Sequence, residues 1–462
     1  MEVLFLIACA AFISVQLFIP PFIGIADNGD FLKITGRLSL APEHQIPNFT
    51  YVVPNYERAH KYRWKPEFLS SELLAAGTAS ELEKIVGPPH EFDIRYLGAV
   101  HSCVFLTAFY LLLILLRRGV SWVRFGLVLL ALWIFTDVFY VSYYNTFYSD
   151  TMAVLALLLM IVLALHIAAT SEPKWQVCCA FLVAALLYVT SKAQHALMGV
   201  VPAAFIVWAL WGCKTKYRVA GAAFGVVLIA ASLVELRTTP EWMKGMSLFD
   251  VVFNKITRQS PEPAQDLRSL ALPDSYSRYV GQHAYLDYSP AQNMTWSRDF
   301  YRQVGYARVL QFYLRRPDRT LGMMHKDLRN RAFQMRPIGN FCIGDGHPPG
   351  SKTDHFASWS NFRSWLLRVW PEHVFFWYVT FTAGAIVVLV TSVSPFRRKA
   401  AVVALGVSLL GVCEFGVATL ADAAETNRHL FLFHVLTDIS IYFALAAILG
   451  GCDALADRFT GQ

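Results

Sequence analysis

Ten stretches of this chain are apolar over roughly the 20 residues that a helix needs to cross a hydrocarbon layer about 30 Å thick. They lie near residues 3–22, 97–116, 121–141, 151–169, 175–190, 194–212, 218–235, 374–393, 400–420 and 430–450. The apolar region 175–212 is too long for one crossing, and the polar Ser191-Lys192-Ala193-Gln194-His195 in its middle divides it into two. Composition agrees: 16% of the 462 residues are charged, against about 25% in an ordinary soluble domain. The expectation is an all-α polytopic membrane protein with about ten transmembrane helices. A soluble enzyme, a disordered chain and a coiled coil are excluded.

The short loops set the orientation. Arg117, Arg118, Arg124, Lys174, Lys214, Lys216, Arg218, Arg397, Arg398, Lys399 and the tail Arg458 fall on one side, against only Lys192 and Arg428 in the short loops of the other. The positive-inside rule then places both termini in the cytoplasm and both long loops, 23–96 and 236–373, outside. The net charge of +7 is therefore an exterior feature, suited to anionic headgroups, phosphates or sugars, and no nucleic-acid partner is expected. Three units follow: 1–235, a membrane module carrying the first loop; 236–373, a loop domain; and 374–462, a second membrane module. The first run reads as an uncleaved helix, because Met1-Glu2 supplies no basic leader and no A-x-A-like site precedes Asp27. Of eight cysteines only Cys342 lies in the long polar regions, so no disulfide framework is expected.

Both long loops have helical signals. Segment 66–86 carries Ser70, Ser71 and Glu72 ahead of Leu73 and Leu74, a capping pattern. Segment 297–336 reads as amphipathic helix with Arg302, Arg308, Arg315, Arg329 and Arg331 on exposed faces.

Polar side chains inside apolar helices are costly, so their placement is informative. Here they gather at the outer ends: Asp27 and Asp30, Asp137, Asn145 to Asp150, Lys192 and His195, Glu235, Glu414, then Glu425, Arg428, His429, His434 and Asp438. A transporter needs polar groups near the midplane and a route to both faces. The inner halves here hold essentially nothing ionisable, which favours a site at the outer boundary.

Within that site, Asp27-Asn28-Gly29-Asp30 sets two carboxylates three residues apart around a glycine that permits a tight turn. Such an acid can take a proton from a hydroxyl while a neighbouring cation holds a phosphate. The purely structural alternative is that Asp27 caps a helix starting near Phe31. Asn145, Tyr148 and Asp150 lie in a loop that an aromatic belt alone does not explain. Lys192 and His195 stand at a helix break, and Arg428 has the planar fork that matches phosphate oxygens. The structural alternatives are a solvated loop for Lys192 and internal pairs for the rest, Glu425 with Arg428 or His434 with Asp438. The run Gly344-Asp345-Gly346-His347 reads as a turn rather than a metal loop.

In their order, these motifs resemble the GT-C class of integral-membrane glycosyltransferases. More narrowly, Asp27-Asn28-Gly29-Asp30-Phe31, Tyr144 to Asp150, Ser191 to His195, Arg428 to His434 through Asp438, and Val251 to Pro273 are similar to bacterial glycan-biosynthesis hexose transferases of the WsfD kind. Asp150, Arg428 and His434 stand where that group usually has glutamate, lysine and asparagine. The resemblance implies a GT-C-like fold and inverting transfer of a hexose from a polyprenyl-phosphate donor to a glycan or lipid-linked acceptor. It places the work in the bilayer of a bacterial inner (plasma) membrane, at an extracytoplasmic site. It implies Asp27 or Asp30 as catalytic base, Lys192, Arg428 and His429 as donor-phosphate ligands, and Asn28, Asn145, Tyr148, Asp150, His195 and Glu425 as substrate-binding residues. No cofactor is expected, with a divalent metal left open. The competing expectation is a lipid-linked-glycan carrier or flippase.

Overall fold

The computed structural model describes residues 2–58, 69–87, 90–117, 119–336 and 338–460, the side chains of 451–460 excepted. Arg118, the side chain of Arg458 and residues 66–68 of the capped segment therefore lie outside the described residues. Among those described, ten apolar helices coincide with the ten apolar runs. Seven are long enough to cross a membrane: Ile94–Leu116, Ser149–Ala168, Ala193–Trp211, Thr215–Thr238, His373–Thr391, Pro395–Leu420 and Thr426–Gly450. Three are shorter: Glu2–Leu17, Ser121–Phe135 and Trp175–Val189. The chain is an integral membrane protein, mostly helical, and its helices are numbered here first to tenth along the sequence.

The ends of the runs are set by local chemistry. The first helix stops at Leu17 because Pro20 and Pro21 cannot continue it. The third stops at Phe135, short of the expected 141, because Asp137 begins a new turn, Val138–Val141, by accepting the Phe139 N–H at 2.8 Å. The ninth begins at Pro395, which puts Arg397, Arg398 and Lys399 in its first turns rather than in a loop. The break between fifth and sixth falls at Thr190 to Lys192, within the polar stretch. The fourth helix is apolar all round and is the most enclosed, 78% of its span being buried. It packs between the second and fifth, with the ninth and tenth also in contact.

One end of the bundle carries the short basic loops. There Glu2 meets Arg117 at 3.1 Å and Arg124 at 3.5 Å, Lys214 meets Glu172 at 3.0 Å, and Lys399 donates to the Thr170 carbonyl at 2.9 Å.

The other end carries both long loops. The first contains the helices Leu32–Leu38 and Glu72–Val86 and a small antiparallel sheet of Leu40–Pro42, Asn55–Arg58 and Glu91–Asp93, with Asn55–Arg58 in the middle. The sheet was not expected. Strands of three or four residues are too short to display alternation. Its Tyr56 and Phe92 rings pack on Phe147. Glu72 is fully buried beside His101, 3.0 Å away, and Ser70 and Ser71 donate to the Ser191 and Leu187 carbonyls, both at 2.6 Å. The loop helix is thereby pinned to the fifth helix.

The second loop has its own apolar core, running from Leu248 and Phe249 through Phe300 and Phe312 to Met323. The single helix expected over 297–336 is two, Met294–Arg315 and Pro317–Asn330, divided by Arg316-Pro317 and bent at Gly305, whose φ of 60° suits glycine. Arg331 falls beyond the second, though all five expected arginines are exposed. A later helix, Ser358–Val369, lies back on the bundle and buries Arg363 against the tenth helix, 2.9 Å from Asp438. Asp438 also accepts from Tyr140 and from the Trp359 indole, each at 2.7 Å. Its ion-pair partner is Arg363, not His434.

The two loops are stitched together at one place. Ala26 N–H donates to the Gly339 carbonyl at 3.0 Å, Gly24 N–H to Asn340 at 3.1 Å and Val52 N–H to Phe341 at 2.9 Å. The turn that follows Ala26 is therefore held from the second loop.

Candidate functional site

That turn is Asp27-Asn28-Gly29-Asp30. Asp27 Oδ1 accepts the N–H groups of Gly29 at 2.8 Å and Phe31 at 3.1 Å, so it organises the turn ahead of Leu32–Leu38. Gly29 sits at φ 102°, which excludes most other residues. Asn28 N–H donates to the Tyr148 hydroxyl at 3.1 Å, and that hydroxyl donates to the Ala26 carbonyl at 2.8 Å. Asn28 Nδ2 donates to Glu425.

The two aspartates differ electrostatically. Burial tends to raise the Asp30 carboxyl, but Lys33 at 2.6 Å and Arg428 at 2.7 Å outweigh it and hold it well below its ordinary value. Burial pushes Asp27 up to about 6, against the two backbone N–H groups that pull it down. Among the described residues no cation reaches Asp27 at ion-pair distance.

Arg428 is buried where the tenth helix begins. Its Nη1 faces Asp30 and its Nη2 lies 3.2 Å from Glu425, while the guanidinium stands 5.0 Å over the Tyr148 ring. Two of its three nitrogens thus already meet carboxylates, and Nε is buried without a partner. Lys192 is the more open cation. Its ammonium donates to Asp150 at 3.2 Å and stands 3.3 Å from His429 Nδ1. His429 Nδ1 is also 3.2 Å from Gln194 Oε1, and Nε2 lies 3.6 Å from Asp422.

The fold therefore brings together Asp27, Asn28, Asp30, Tyr148, Asp150, Lys192, Glu425, Arg428 and His429. It does not bring Asn145 or His195 into the open part of the group. Asn145 is fully buried, and its amide donates to the Leu17 and Ile23 carbonyls at 3.1 and 2.9 Å, bracing the end of the first helix. His195 is buried against Glu414 at 2.7 Å, with its ring stacked on Tyr188. Glu414 in turn accepts from Gln194 at 2.9 Å, so His195 supports the wall behind His429.

Four residues were not anticipated. Lys33 follows Asp30 by three positions, a spacing visible in the sequence. Asp422 stands just past the ninth helix, where the crowding of polar groups at one end of the bundle already pointed. Burial pushes its carboxyl up to about 6. Lys255 lies in the Val251 to Pro273 stretch that carries part of the resemblance, though nothing there assigned it a role, and Ser247 stands just before that stretch. Lys255 pairs with Asp327 at 2.6 Å and donates to the carbonyls of Thr419 and Asp422, tying off the ninth helix.

Among the described residues no three His, Cys, Asp or Glu side chains converge as a metal site. Around Cys342, Asp345 accepts the Cys342 N–H at 3.0 Å and His347 stacks on Phe341, an ordinary turn. A groove of about 1370 Å³ runs along the sixth and seventh helices, from Val200 and Leu233 to Trp211, Cys213 and Lys399 at the opposite end, and none of the residues gathered above lines it. Its walls are almost wholly apolar, as suits contact with lipid chains.

A profile of the family described as the YfdI N-terminal transmembrane domain matches residues 1–460. No curated protein and no solved structure matches the chain.

Proposed function

This chain belongs to the family of the YfdI N-terminal transmembrane domain, and on that footing we propose that it is a membrane glycosyltransferase. Its donor is a polyprenyl-phosphate hexose, and its acceptor is a hydroxyl of a glycan or lipid-linked glycan on the extracytoplasmic face. The observation that carries this reading is the contrast between two carboxylates three residues apart, Asp30 neutralised by Lys33 and Arg428, Asp27 unpaired and held up to about 6. A carboxylate tuned towards neutrality suits general-base work better than one locked in ion pairs.

In the proposed reaction the acceptor oxygen attacks the anomeric carbon from the face opposite the phosphate. Its proton passes to Asp27. The bond from the anomeric carbon to the phosphate oxygen breaks, and its electron pair leaves with the lipid phosphate, so the configuration inverts. The donor phosphodiester carries one negative charge and gains a second as the bond breaks. Lys192, the more open cation, therefore helps the departing phosphate more than the bound donor, which is what lowers a barrier. Arg428 holds Asp30 and Glu425, and through Glu425 it holds Asn28, so its main work is to fix the turn that carries Asp27.

The test is an assay of purified protein in lipid nanodiscs with a polyprenyl-phosphate hexose and a glycan acceptor. Hexose moved to acceptor, with free polyprenyl phosphate released in equal amount, supports the reading. Movement of intact donor between leaflets of a vesicle with no bond broken would replace it with the carrier reading.

A further inference from the structure

Across His429 from the phosphate-facing Lys192 stands a carboxylate for which the reaction above has no use. The imidazole separates the two groups, Nδ1 lying 3.3 Å from the Lys192 ammonium and Nε2 3.6 Å from Asp422 Oδ2. Asp422 is half-buried, and its side-chain partners lie at the long end of hydrogen-bond range. Oδ1 takes the Ala424 N–H at 2.8 Å, while Oδ2 has long contacts, 3.4 Å from the Ser247 hydroxyl and 3.6 Å from His429 Nε2. The backbone around it is fixed, because the Lys255 ammonium, itself paired with Asp327, donates to the carbonyls of Thr419 and Asp422. Nearby, Tyr285 is 62% exposed and within electrostatic reach of Asp422, Asp30 and Arg428. Tyr306 lies beside Ser247 and is also within reach of Asp422. Asp250, with a buried Oδ2 that has no partner, lies behind them.

We propose that Asp422, assisted by Ser247, is a sugar-hydroxyl subsite of this protein, accepting hydrogen bonds from a neutral sugar ring held between the membrane bundle and the second loop. A carboxylate repels phosphate and pyrophosphate, so the ligand here is the uncharged, hydroxyl-rich part of a substrate. Two oxygens on one rigid carboxylate match a pair of adjacent ring hydroxyls, and the exposed Tyr285 offers a flat face of the kind on which sugar rings rest. The Lys255 anchor supplies the rigidity that such a contact needs. The ring belongs either to the acceptor glycan or to the hexose of the donor. The proposal rests on the glycosyl-transfer reading, and its test is arranged so that the two can fail separately.

The experiment measures steady-state transfer by the full-length protein in nanodiscs, with donor and acceptor varied in turn, for wild type, Asp422→Asn and Ser247→Ala. Each variant is first checked for monodispersity and thermal unfolding. Loss of a charged hydrogen bond should raise one KM about ten- to hundredfold in Asp422→Asn, with a smaller rise of the same KM in Ser247→Ala. A rise in acceptor KM alone assigns the ring to the acceptor, and a rise in donor KM alone assigns it to the donor hexose. Both KM values within twofold of wild type in folded variants overturn the subsite while leaving the transferase intact. If Asp422→Asn does not fold, Ser247→Ala decides by the same criterion. A fall in kcat with KM unchanged, together with loss of the acid limb of the pH profile, would instead make Asp422 the base and overturn its binding role. A wild type that transfers no hexose ends both readings together.

Discussion

Arg428 Nη1 lies 2.7 Å from Asp30 Oδ2, so the first turn of the last membrane helix grips the turn that follows the first. The contact divides the labour of two neighbouring carboxylates. Asp30 is spent on cations, and burial leaves Asp27 pushed up to about 6.

Asp27→Asn should keep the turn, since an amide oxygen can still accept the Gly29 and Phe31 N–H groups, and should lose turnover by about 10²–10⁴-fold. A base whose carboxyl is pushed up to about 6 is active when ionised. In wild type, kcat/KM should therefore rise with pH up to about 6 and level off above it, a limb absent from the variant. The stability effect runs the other way. The folded protein holds this proton more tightly than the unfolded chain, so the contribution is present at low pH and lost as pH rises through about 6. At pH 7 the variant should melt no lower than wild type. Near-normal turnover per folded molecule in both Asp27→Asn and Asp30→Asn would remove the base.

Lys192→Met removes the open cation beside Asp150 and His429. A charge-assisted contact to phosphate is worth about 1.5–3 kcal/mol, so donor KM should rise about ten- to hundredfold with acceptor KM unchanged. Because the help grows as the phosphate leaves, kcat should fall as well. Unchanged donor KM and kcat in folded protein would take Lys192 out of the phosphate site.

Arg363→Met leaves Asp438 buried without its cation. Breaking a buried pair from one side costs about 3–5 kcal/mol, and the loop helix Ser358–Val369 should detach from the bundle. A large drop in thermal midpoint and protease cleavage near that helix are the expected readouts. Arg363→Met combined with Asp438→Leu should recover part of the loss, the Tyr140 and Trp359 donors remaining unsatisfied. A midpoint unchanged by Arg363→Met alone would show that this pair does not anchor the helix.

A cysteine introduced near Tyr288, an exposed residue of the second loop, should react with an impermeant thiol reagent in intact cells whose outer barrier is opened. One introduced beside Arg397 should react only after lysis. The reverse pattern would place the Asp27 turn on the cytoplasmic side and exclude an extracytoplasmic reaction.

The sequence displayed the ten helices, because each burial decision is local to about twenty residues, and it displayed the end of the bundle where polar groups collect. Ser191 to His195 marked a helix break for the same reason, since Lys192 inside one long helix would have been stranded in lipid. What stayed hidden depends on contacts between distant segments. Nothing local sets Arg363 or Lys255 apart from the other basic residues of the second loop, yet one is buried on Asp438 and the other ties off the ninth helix. Asn145 carried a convincing polar signal and turned out to satisfy two backbone carbonyls. A side chain that repairs a helix end and one that awaits a substrate have the same chemistry, and only position separates them. Asp27 combined both, a turn-forming oxygen and a second oxygen left over.

The bond between Asn28 and Glu425 joins residues 397 positions apart, and this has a consequence for biogenesis. While the chain is being made and inserted, the turn after the first helix must wait through eight further membrane helices before its grip arrives with the start of the tenth. Until the tenth is in place, Asp30 has Lys33 but not Arg428, and the base has no settled geometry. On the proposed reading, a polypeptide released before Arg428 would carry the earlier helices and transfer no hexose, because nothing would yet grip Asp30 and Asn28.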